Sequence, residues 1–149
     1  MIPGFFFRET MRGTYWRLDT PTDEQAIEFT LKVSASSVRR FLRDKTWQIE
    51  GTMNAEGLAT NKPLEGTIEF RILDERRLPY RVRFTGDDGL SYELRGQKEW
   101  TPLAPVESMT VLPTTLLDAN GSEIGRATLR FDARNELGKF LRSFRVAFA

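Results

Sequence analysis

Phe7-Arg8-Glu9-Thr10-Met11-Arg12-Gly13-Thr14 is the stretch that decides the fold. Successive side chains of a β-strand point to opposite faces, so Phe7, Glu9, Met11 and Gly13 share one side and Arg8, Thr10, Arg12 and Thr14 the other. The second set is a water-facing surface, which turns the first set toward a core. Glu9 then stands between Phe7 and Met11 in an apolar row. A buried carboxylate is costly unless it is paired, so the chain should supply a cation for it.

The same period of two recurs along the sequence. It runs through Ile27–Val33, Trp47–Met53, Ile68–Ile72, Tyr80–Phe84, Tyr92–Trp100, Ala127–Phe131 and Phe144–Phe148, with a less regular strand from Met109 to Leu117. Pro113 marks that last one as an edge or a bulge. Gly86-Asp87-Asp88-Gly89 and Asp118-Ala119-Asn120-Gly121-Ser122 read as tight hairpins, Asn54 to Pro63 as a longer polar connection, and Leu103 to Val106 as a loop. Val38, Phe41 and Leu42, and Leu137, Phe140 and Leu141, stand at helical spacing, with Ser34 and Asp132 as N-caps. The expectation is a mainly antiparallel β fold of about nine strands and two short helices. It would be barrel-like, because closure removes exposed edges, with a two-sheet sandwich as the alternative.

Thr30-Leu31-Lys32-Val33-Ser34-Ala35 echoes Thr128-Leu129-Arg130-Phe131-Asp132-Ala133, and Phe41-Leu42-Arg43 echoes Phe140-Leu141-Arg142. This reads as an internal two-fold pseudo-repeat, with half-repeats of about 5–75 and 76–149. The 149 residues make a single domain, 1–149. A formal charge of +1 gives no pull toward nucleic acid or an anionic membrane. With neither cysteine nor histidine the chain has no disulfide, no thiolate or imidazole metal ligand and no Ser-His-Asp triad. Asp87-Asp88 is too sparse for a hard cation, and no Walker or G-x-G-x-x-G pattern occurs, so no metal and no cofactor are expected. The N-terminus does not read as a signal peptide, and no run approaches the roughly 20 apolar residues of a membrane helix. The expected location is cytoplasmic.

Along Tyr92–Trp100, parity places Lys98 on the face of Tyr92, Leu94 and Trp100, with Gly96 beside it. Glu9 and Lys98 are thus two opposite charges standing where apolar residues belong, each with a small or flexible neighbour two residues away. We expect them to pair inside the fold. The pair would fix strand register, anchor a ligand pocket, or perform acid/base catalysis. Candidate pocket-lining residues are Phe7, Met11, Trp47, Tyr92 and Trp100. Bulky inward rows favour a filled barrel over a wide cavity. The basic clusters Arg39, Arg40, Arg43 and Lys45, and Arg76, Arg77, Arg81 and Arg83, read as solvated faces.

Phe7-x-Glu9-x-Met11-x-Gly13, the Ser36-to-Leu42 helix, Gly51-Thr52, Gly66-x-x-x-Phe70, Tyr80-x-Val82-x-Phe84, Asp88-Gly89-x-x-Tyr92-x-Leu94-x-Gly96-x-Lys98, Thr114-Thr115-Leu116 and Gly125-x-x-x-Leu129, taken in order, resemble an accessory β-module. That module accompanies bacterial flavin-dependent oxidoreductases of the glucose-methanol-choline type, in particular cholesterol-oxidase-like proteins. Arg43-Asp44-Lys45-Thr46-Trp47 departs from the pattern by lacking its Pro and His. No flavin-binding pattern is read in these residues, so the resemblance is expected to carry no flavin activity over to them. It implies a non-catalytic module that binds a lipidic or sterol-like ligand or a partner oxidoreductase. A lipocalin-like carrier, or a small enzyme using Glu9 and Lys98, are the alternatives.

Overall fold

The computed structural model describes residues 5–35, 43, 45–71, 75–101, 103 and 110–131, with side chains from Arg8 onward and excluding that of Ala35. Eight strands close into an antiparallel barrel in which each pairs with its sequence neighbours and the last returns to the first. They are β1 (Phe5–Arg17), β2 (Thr20–Ala35), β3 (Thr46–Ala55), β4 (Ala59–Glu69), β5 (Arg77–Thr85), β6 (Ser91–Glu99), β7 (Val111–Leu117) and β8 (Glu123–Phe131). Strand parity is as the sequence implies: Glu9, Met11 and Tyr15 are buried while Arg8, Arg12 and Thr14 are exposed. The two helices and the strand expected at Phe144–Phe148 lie outside the described residues, as does Ile72. Ser34 is not an N-cap within the described residues: it pairs with Gln48 in the β2–β3 ladder.

The expected connection from Asn54 to Pro63 is a correction. Only Glu56–Leu58 form the turn, and both flanks are strand, with Met53 opposite Lys62 and Thr52 opposite Pro63. Gly57 (φ 77°) and Asn61 (φ 48°) take the left-handed backbone that makes so short a return feasible. Pairing of β4 with β5 begins only at Leu64, so Pro63 falls just outside that ladder. Pro79 and Pro113 do the same: pairing on the outer side starts at Tyr80 and at Thr114 respectively. A residue without an N–H belongs at a ladder's limit; β7 is neither an edge strand nor bulged at Pro113, being paired with β6 and β8 and irregular only at Leu116/Leu117.

Glycine appears where strands press together. A Cβ on Gly13, Gly51 or Gly66 would lie 1.8 Å from the carbonyl oxygen of Thr128, Thr30 or Arg81 on the adjacent strand. Such points let a small barrel bend sharply.

The turns between β1 and β2, β3 and β4, β5 and β6, and β7 and β8 gather at one end of the barrel; the other connections leave from the opposite end. At that opposite end one hydrogen-bond pattern recurs. The N–H of Phe70 donates to Lys45 O (2.7 Å), that of Trp100 to Arg76 O (2.8 Å) and that of Phe131 to Thr110 O (2.8 Å). Each aromatic residue thereby ties the end of a descending strand to the residue before its ascending partner. Counting inward from these closures, Ile49 and Ile68 of β3–β4 correspond to Tyr80 and Lys98 of β5–β6, and to Thr114 and Leu129 of β7–β8. The Thr30/Thr128 echo lies on β2 and β8, which flank β1 on its two sides.

The interior is packed with side chains. Met11, Leu31, Met53, Ile68, Leu112 and Leu129 show no exposure, and Phe29 and Trp47 show 1%. A side chain at zero exposure adjoins neither bulk solvent nor a water-sized void.

Candidate functional site

Glu9 on β1 and Lys98 on β6 meet in the dry interior toward the end opposite the four turns. Their relative exposures are 1% and 3%, and Lys98 Nζ donates to Glu9 Oε2 at 3.1 Å. The other carboxylate oxygen accepts from Tyr80 OH on β5 at 2.9 Å. The Lys98 ammonium also lies over the rings of Tyr80 and Phe131, 5.1 and 5.2 Å from their centroids. Ring faces attract a cation, so one charge and two aromatic faces surround the ammonium.

Local register explains why these residues converge. Tyr80 is opposite Gly96, Lys98 is opposite Leu78, and Glu9 is opposite Leu31. At Gly96 the strand β7 presses close: a Cβ there would lie 2.3 Å from Pro113 O and 2.6 Å from the Thr114 methyl. The β6–β7 ladder ends at Gly96–Thr114 and the β1–β8 ladder at Phe131–Met11. Glu9 and Lys98 therefore stand just beyond the last rungs, on the strands that flank the β7–β8 hairpin, and their ion pair spans that hairpin's end.

Burial raises the Tyr80 phenol well above its ordinary pKa; the Glu9 charge, and the hydrogen bond that the phenol donates to it, add to the effect. Tyr80 is thus a committed donor rather than a base. Sequence reading placed Tyr80 on the inward face but did not assign it to the site. The available signal was its phenolic oxygen, which needs a partner when buried.

The candidate lining residues divide. Met11 and Trp47 are core side chains, and Trp47 packs on Phe70 with centroids 5.6 Å apart. Trp100 is a correction: it lies one residue beyond β6, half-buried, with the Arg76 guanidinium 5.9 Å from its ring centroid. Tyr92 does line a pocket, but not one beside the ion pair: it sits at the turn end, about 20 Å along β6 from Lys98 at roughly 3.3 Å per residue, stacked on Phe84 and donating to Asp88. The Phe7 side chain lies outside the described residues. Open grooves occur among the described residues, one of about 490 Å³ bordered by Leu64, Arg83, Phe84, Tyr92, Glu93 and Asp118. Neither it nor the grooves beside Ala55 and beside Gly51 are lined by Glu9, Tyr80 or Lys98.

Among the described residues, no group of three or more His, Cys, Asp or Glu is placed to hold a metal ion, and no helix is long and apolar enough to cross a membrane. No model of a known protein family matches the chain, and no curated protein matches it either. The likeness to an oxidoreductase accessory module rests on the motif residues alone.

Proposed function

We propose that the chain is a non-catalytic accessory module that docks on a partner oxidoreductase, its barrel a filled body rather than a container. The observation that carries this reading is the zero exposure of Met11, Leu31, Met53, Ile68, Leu112 and Leu129, which among the described residues leaves no preformed chamber beside them for a lipidic or sterol-like ligand. Both oxygens of Glu9 are engaged by donors of the chain itself and the carboxylate is buried, which argues against acid/base work on a diffusing substrate. The likeness of Phe7-x-Glu9-x-Met11-x-Gly13 and Gly96-x-Lys98 to the accessory module supports an oxidoreductase as the partner.

Native mass spectrometry of the protein isolated from its own host tests this. The expected result is a stoichiometric complex with a flavin-dependent oxidoreductase. An isolated chain carrying a noncovalent apolar molecule would overturn it in favour of a carrier.

A further inference from the structure

The buried charges are not required by the architecture. At corresponding positions hairpin β3–β4 places Ile49 and Ile68, and hairpin β7–β8 places Thr114 and Leu129, where β5–β6 has Tyr80 and Lys98. The barrel therefore builds the same layer elsewhere without a cation, and ionic interiors are often matched or bettered in stability by apolar ones. What β5–β6 adds is a pair of convergent donors. Tyr80 OH and Lys98 Nζ each reach a different oxygen of one planar carboxylate, at 2.9 and 3.1 Å. One ammonium balances one negative charge, and the opposed residues Leu31 and Leu78 and the Phe131 ring are apolar. Two donors and a single cation fit a monocarboxylate; a tetrahedral dianion such as phosphate would leave charge and oxygens unmet.

We infer that Tyr80 and Lys98 form a carboxylate-binding site that the chain's own Glu9 occupies, so that an entering monocarboxylate reaches the two donors only by displacing Glu9. The inference goes beyond the docking role and stands without it, because it is argued from donors and an acceptor that this chain alone supplies.

Glu9→Ala removes the methylene and carboxylate beyond Cβ, a fragment the size of acetate. Melting of this variant in sodium acetate, with sodium chloride at equal ionic strength and acetamide as controls, tests the site. Acetate alone should raise the variant's Tm, by roughly 5 °C near saturation, and the wild type should not respond. Adding Lys98→Met to Glu9→Ala should abolish the gain. If Glu9→Ala does not fold in chloride, acetate should restore its cooperative transition. Stabilisation by acetate no greater than by chloride or acetamide overturns the inference. So does a Glu9→Ala chain that stays unfolded in acetate while the isosteric Glu9→Gln folds.

Discussion

The two ends of the barrel are closed by opposite means. At the turn end the bonds are local and wet: Asp88 accepts from Leu90 N and from Tyr92 OH four residues away, and Asp118 accepts from Asn120 N and Ser122 N. Asp87 reaches farther along the chain, to the Thr60 amide and hydroxyl 27 residues back, but these bonds too are exposed. At the opposite end the decisive bonds join residues 89 and 71 apart in sequence, with both members buried. Water can replace a lost partner at the first end and cannot at the second. The difference teaches that the same fold holds interchangeable polar contacts and one set whose members depend on each other.

Lys98→Met is the most severe way to break that contrast. It strands the Glu9 charge in the core and should cost about 3–5 kcal/mol, read from urea denaturation midpoints. The triple variant Glu9→Leu/Tyr80→Phe/Lys98→Met removes every polar member at once and should recover most of the loss. A triple variant as unstable as Lys98→Met alone would mean that packing, rather than stranded charge, sets the cost.

Tyr80→Phe comes next. It removes a hydrogen bond to a charged group, a loss of about 1.5–3 kcal/mol, and it also changes the alkaline limb. The folded Tyr80 pKa lies above its unfolded value near 10.0, so Tyr80 contributes stability that is whole below pH 10 and is lost as pH rises toward the folded value. Wild-type stability should therefore decline above pH 10, with one of the three phenolates appearing by ultraviolet absorbance only as the chain unfolds. In Tyr80→Phe the decline should be shallower.

The legibility of this molecule in its sequence follows the same division. Parity placed Glu9 and Lys98 on inward faces, because a charge in a strict apolar alternation is conspicuous whatever the distant partner. Tyr80 went unassigned because tyrosine is unremarkable in an apolar row; only the register that sets it opposite Gly96 aims its hydroxyl at Glu9. The turn after β3 was missed because Ala59 to Pro63 has little alternation, the strand there being unpaired on its β5 side. Residues Thr20 to Glu24 of β2 gave no signal for a related reason: both of their faces are exposed, so nothing selects apolar side chains. Tyr92 was assigned to the site on parity alone. Parity fixes the face but not the height along the barrel.

The smallest effect belongs to Asp88, and it tests the contrast from the turn end. The Tyr92 hydroxyl and then the Leu90 amide, both donating to Asp88, hold its carboxyl below the ordinary value of 3.8. The lowered folded pKa means that its contribution is present above pH 3.8 and is lost as pH falls through the folded value. Asp88→Asn should leave the denaturation midpoint at neutral pH almost unchanged and make the loss of stability below pH 3.8 less steep. Because the carboxyl faces solvent, added salt should weaken the difference between the two chains, whereas the Lys98→Met deficit should persist in salt. A neutral-pH loss in Asp88→Asn as large as that of Lys98→Met would erase the distinction between an end sealed by solvated contacts and one sealed by a dry ion pair.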